Sequence, residues 1–125
     1  MCSSDLFKPQ IAAHAAAGGV IVCDRYLASS IAYGEAQGLD AAWLAEIQRF
    51  LPKPDLTVLL DIAPEISAAR KTEDRDKYER DLALLARVRA SYHRQAAAQG
   101  WLMLDASRSR DAVAADVHAA VAALL

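Results

Sequence analysis

Three short apolar runs punctuate this chain, and each ends in an aspartate. Val20-Ile21-Val22-Cys23 leads into Asp24, Leu56 to Leu60 into Asp61, and Trp101-Leu102-Met103-Leu104 into Asp105. None alternates apolar with polar residues, as a strand with one wet face does. Runs of this length and composition suit strands covered on both faces, as in a parallel sheet. Helical patterning separates them, and strand–helix–strand alternation implies right-handed crossovers with helices on both sheet faces. In open parallel sheets, ligands settle beyond the carboxyl ends of the strands. There an aspartate can orient metal-bound water or a basic side chain. Taken singly, each aspartate is equally a turn former; three in series point to a working edge.

The intervening segments read as helices with identifiable ends. An Ala-rich stretch from Leu6 to Ala17 has Pro9 near its start and Gly18-Gly19 as its stop. Ser30 to Gln37 is predicted helical, ended by Gly38. Asp40 is placed to N-cap a helix whose Trp43, Leu44, Ile47 and Leu51 share a face, closed by Pro52-Lys53-Pro54. Pro64 suits the first turn of a helix through Arg70, and a long helix spans Tyr78 to Ala98. Ser109 caps a last helix with Val113, Val117, Val121 and Leu124 as its buried stripe. Residues 1–6 have no periodicity and read as a disordered or foreign start, and 7–125 as a single domain.

Composition narrows the function classes. With 54% apolar and 24% charged residues over 125 positions, the chain reads as globular. A formal net charge of −2 supplies no basic excess, which argues against nucleic acid as a partner. The most apolar early stretch, Ile11 to Cys23, is short and interrupted by His14 and Gly18-Gly19, which argues against a membrane span. Cys2 and Cys23 lack metal-ligand spacing; with no secretory signal they suggest a reducing, cytoplasmic setting. Cys23 reads as a small buried hydrophobe.

The densest chemistry follows the first apolar run: Asp24-Arg25-Tyr26-Leu27-Ala28-Ser29-Ser30-Ile31-Ala32-Tyr33. An arginine at a strand's carboxyl end is costly without a task or partner, and its planar fork of donors matches phosphate oxygens. A surface Asp24–Arg25 pair, worth little, is the plain alternative. Likewise Ser29 and Ser30 are possible helix caps, and Tyr33 possible core packing. Arg70, Lys71, Arg75 and Lys77 alternate with Glu73, Asp74 and Asp76, which by pattern alone is a solvated charge run.

These residues resemble the acceptor motif of thymidylate kinases: Asp-Arg-Tyr, a serine three positions on, then Ala-Tyr. Further similarities follow in order: Leu51-Pro52-Lys53-Pro54-Asp55-Leu56 before a strand, Arg70 through Glu79 as a lid, and Asp105-Ala106-Ser107-Arg108-Ser109 before the last helix. The resemblance implies an α/β fold of the P-loop kinase type. It implies transfer of the γ-phosphate of ATP, with Mg2+, onto dTMP, giving dTDP and ADP, under a lid that excludes water. By the same similarity, Arg25 grips the acceptor phosphate and Asp24 lies near the magnesium's water shell. Ser29 and Ser30 face the acceptor nucleotide, and Tyr33 lies against its deoxyribose. Arg70 and the Ser107-Arg108 turn flank the adenine of ATP, and Arg75 reaches the phosphates on closure. Family members are homodimers, so a homodimer is implied too.

Departures from the family pattern are specific. Gly34-Glu35 stands where Gln-Gly is usual, and Lys77 where arginine is usual. No Gly-x-x-x-x-Gly-Lys-Ser/Thr occurs, and no glycine precedes a lysine. Family members carry that loop on their first strand, so the chain is expected to be an N-terminally truncated domain with three strands, inactive by itself and poorly soluble. The remaining alternatives are a kinase for another nucleoside or nucleotide, and a non-catalytic nucleotide-binding or dimerisation module.

Overall fold

A strand satisfies its backbone by pairing with a neighbour, and among the described residues only two of the three apolar runs do so. In the computed structural model, which describes residues 4–69 and 75–125 (side chains apart from 4–6, 68 and 75–81), eight elements follow one another. They are α1 (Ser4–Ala16), α2 (Leu27–Ala36), α3 (Ala41–Ile47), β1 (Val58–Asp61), α4 (Pro64–Ala69), α5 (Arg75–Gln99), β2 (Leu102–Asp105) and α6 (Arg110–Leu124). The mixed, strand-poor architecture is an incomplete α/β fold. Residues group into two compact units, 1–54 and 55–125.

The first unit is helical. Asp40 caps α3 as its sequence position predicts, accepting from the Ala42 backbone N–H at 2.9 Å. Helices α2 and α3 pack together around Ala32, Ala36, Leu44 and Leu51, all buried. Gly34 is part of that contact: a Cβ there would come within 2.7 Å of Leu44 Cδ1. At Gly34, the first residue of the Gly34-Glu35 departure, a side chain would require Leu44 to move. Tyr26 donates its hydroxyl to the Pro52 carbonyl at 3.0 Å, fastening the start of α2 to the Pro-Lys-Pro segment.

Two expectations for this unit are corrected. Val20–Cys23 forms no strand among the described residues, so two strands stand where three were expected. With no neighbouring ladder to cover it, the run is open: Val22 is 86% exposed, and Cys23 is exposed rather than buried. Likewise the face expected from Trp43, Leu44, Ile47 and Leu51 splits. Leu44 and Leu51 are buried, while Trp43 and Ile47 are more than half exposed, since α3 is a short helix of seven residues packed against α2.

The second unit carries the sheet. β1 and β2 pair in parallel with Val58 opposite Leu102 and Asp61 opposite Asp105. The ladder continues at both ends, Leu102 N–H to the Thr57 carbonyl at 3.2 Å and Ala106 N–H to the Asp61 carbonyl at 2.8 Å. Helix α5 packs on β1 and α4, burying Val88, Ser91 and Ala96, and α6 packs on β2. Ser109 caps α6 as expected, accepting from the Ala112 N–H at 3.2 Å. The expected buried stripe on α6 is not realised: Val113, Val117 and Val121 are half-buried and Leu124 is 54% exposed, since a two-stranded sheet offers little surface to cover them.

Candidate functional site

The turn after the first apolar run sets the direction of its arginine. Arg25 has φ of +62°, the left-handed region that a side chain-bearing residue enters at a cost of about 1 kcal/mol or more. The chain reverses there into α2, and the arginine folds back along that helix. Its Nε donates to Ser29 Oγ at 2.8 Å, and its Cζ lies 4.7 Å from the centroid of the Tyr33 ring. Ser29 and Tyr33 are four residues apart on α2, one above the other on the same helix face. A single guanidinium therefore spans both.

Sequence reasoning grouped Arg25, Ser29, Ser30 and Tyr33, and the structure brings Arg25, Ser29 and Tyr33 into contact. Neither serine is a helix cap: Tyr26 holds the N-cap position of α2, without a side-chain cap, and both serines lie inside the first turns. Ser29 is buried and Ser30 half-buried. Arg25 turns to Ser29 and Tyr33 rather than to Asp24, whose carboxylate is exposed. Among the described residues, no three His, Cys, Asp or Glu side chains gather as a metal site.

In the second unit the strand-end carboxylates have divergent environments. Asp61 accepts from Arg89 Nε at 2.8 Å through one oxygen and from Nη2 at 2.9 Å through the other, and it lies 2.8 Å from His93 Nε2. The Arg89 guanidinium, with His93 beside it, holds its carboxyl down at about 2, against the opposing effect of burial. Asp105 closes a local turn instead, accepting from the Ser107 hydroxyl at 2.5 Å and the Ser107 N–H at 2.9 Å. Those bonds, the hydroxyl first, lower its pKa. Arg108 donates through Nε to the Asp105 carbonyl at 3.1 Å and through Nη2 to Asp116 at 2.7 Å. The Ser107-Arg108 turn is thus held firmly in shape between β2 and α6.

Arg89 and His93 were not singled out from the sequence. Their signal was there: two basic residues at i and i+4 on one face of a long helix, in a chain with a carboxylate at each apolar run's end. Arg70 lies outside the described residues. Arg75, expected in a lid loop, is the first residue of α5, and its side chain lies outside the described set.

The family model for thymidylate kinase matches residues 3–117. A protein of Pyrobaculum aerophilum named probable thymidylate kinase is 40% identical over 113 residues, covering 89% of this chain and 58% of its own length. The thymidylate kinase of Thermomicrobium roseum is 40% identical over 114 residues, 83% of this chain and 54% of its own. A probable thymidylate kinase of Pyrobaculum calidifontis is 34% identical over 117 residues, 92% of this chain and 60% of its own. The chain therefore spans a little over half the length of these relatives. A match over more than nine-tenths of the chain, running through the Asp24-Arg25-Tyr26 turn and both strand-end aspartates, leaves one assignment: the chain belongs to the thymidylate kinase family.

Proposed function

We propose that this chain forms the acceptor-side and lid portion of an enzyme that transfers the γ-phosphate of ATP to dTMP, giving dTDP and ADP for dTTP synthesis in the cytoplasm. Support comes from family membership and, above all, from the Arg25 guanidinium, whose Cζ lies over the Tyr33 ring, 4.7 Å from its centroid. A cation fixed in this way is ready for an incoming phosphate dianion, and the ring beside it offers an apolar wall to a deoxyribose. Phosphoryl transfer depends on positioning and charge stabilisation, so an arginine held ahead of substrate arrival is the part this segment contributes. Asp24 would sit near the water shell of Mg2+, which arrives with ATP and neutralises charge on its phosphates. Ser107 and Arg108, with Arg70, would flank the adenine, and Arg75 would approach the phosphates. A homodimer is the assembly we propose, on family resemblance.

The absent phosphate-cradling loop favours a second outcome for the chain by itself: nucleotide binding without turnover. Titration calorimetry of the 125-residue protein with dTMP, AMP, CMP and GMP tests the acceptor assignment, and a coupled assay for ADP tests turnover. The expected result is a preference for dTMP of roughly tenfold, about 1.4 kcal/mol, with negligible ADP release. Equal binding of all four nucleotides would refute the assignment to thymidylate.

A further inference from the structure

We propose that Ser29 is a positioning residue for Arg25 and does not itself contact the acceptor nucleotide. The inference rests on the acceptor-phosphate role proposed above and adds a residue-level account of how that role is prepared. Ser29 is 6% exposed, leaving almost no surface for a ligand to touch. Its Oγ accepts from Arg25 Nε at 2.8 Å. Three constraints therefore converge on one side chain. The backbone at Arg25 is in the left-handed region, its Nε is held by Ser29, and its guanidinium carbon lies over the Tyr33 ring.

A guanidinium offers five N–H donors in a rigid fork. With Nε engaged by Ser29, the edge formed by Nη1 and Nη2 has no protein hydrogen bond among the described residues. That edge presents two parallel N–H groups that can meet two phosphate oxygens side by side. A long arginine side chain carries considerable rotamer entropy. Here its freedom is lost when the protein folds, so little of the cost falls on binding. Ser29 is separated from Tyr33 by one helical turn, the spacing that lets a single guanidinium lie across both.

The test uses the full chain, as wild type, Ser29→Ala and Ser29→Thr, each checked for helix content by circular dichroism. Titrations with dTMP and with thymidine, which lacks the phosphate, are paired with NMR observation of the Arg25 Nε–H. The wild type should show a shifted, slowly exchanging Nε–H signal. Ser29→Ala should return that signal to the position of a free arginine and weaken dTMP binding roughly tenfold, with thymidine binding unchanged. Ser29→Thr, which keeps the hydroxyl, should restore both. Equal loss of dTMP and thymidine binding in Ser29→Ala would mean that Ser29 touches the nucleoside, and the proposal would fall. It would fall alone if wild type binds dTMP and Ser29→Ala matches it. If wild type keeps the Nε–H signal and binds no dTMP, the acceptor-site reading falls and takes the positioning role with it.

Discussion

Asp61 and Arg89 meet through two parallel hydrogen bonds, 2.8 and 2.9 Å long, that tie the carboxyl end of β1 to the middle of α5. The pair is geometrically good and partly shielded, with the Asp61 side chain 19% exposed. Its carboxyl is depressed from an ordinary 3.8 to about 2. For a group depressed in the folded state, stability is present above the unfolded pKa and is lost as pH falls through the folded one. The window here is therefore pH 4 down to about 2. Allowing for solvent screening, the contribution is about 1–2 kcal/mol. Urea denaturation of wild type and Asp61→Asn should show the wild type more stable at pH 7 and the two converging by pH 2. Stability curves that stay parallel across that range would show that the pair is energetically idle.

Arg25 should not tolerate replacement by lysine. Lys keeps the charge but has neither the fork nor a flat face to lay on Tyr33. Losing a charge-assisted bond to Ser29 and a two-point grip on phosphate corresponds to about 1.5–3 kcal/mol. Calorimetry should show Arg25→Lys weakening dTMP binding by roughly 10- to 100-fold. An affinity within a factor of about two of wild type would mean that charge alone holds the phosphate.

Arg25, which precedes α2, was grouped with Ser29 and Tyr33 by resemblance to the acceptor motif; only the placing of Ser29 and Tyr33 on one face follows from local four-residue spacing once α2 is recognised. The caps at Asp40 and Ser109 were legible for the same local reason. What could not be read was anything decided by a neighbour. Val20–Cys23 has the composition of a buried strand, but composition cannot supply the adjacent strand that would bury it. Arg89 and His93 were missed because their significance depends on which carboxylate the sheet brings beside them. The left-handed backbone of Arg25 has no sequence signature either, since arginine is not a residue that favours it.

Gly34 should resist enlargement despite lying inside a helix. Alanine normally gains about 0.5–1 kcal/mol over glycine at such a position. Here the added methyl would meet Leu44 Cδ1 at 2.7 Å and Cδ2 at 3.1 Å, in a well-buried contact between α2 and α3. Overpacking of this kind costs about 1–3 kcal/mol, which exceeds the gain. Gly34→Ala should therefore destabilise by about 1 kcal/mol, and Gly34→Ala with Leu44→Ala should lose less than the sum of the two single changes. A stabilised Gly34→Ala would show that Leu44 gives way freely.

The exposed run before Asp24 sets a limit on how the chain behaves in solution. Val20, Ile21 and Val22 are 59%, 38% and 86% exposed, and no ladder covers them among the described residues. Consecutive β-branched residues with unpaired backbone are a template for intermolecular strand pairing. Natural edge strands are guarded by an inserted charge, often lysine, because pairing would then force an ammonium against an apolar neighbour. Val22 is the most open position, so Val22→Lys removes little native packing. Light scattering at increasing protein concentration should show wild type associating and Val22→Lys remaining smaller, with circular dichroism unchanged. If the two proteins associate alike, the sticky surface lies elsewhere, and the exposed Trp43, Ile47 and Phe50 around α3 become the next positions to alter.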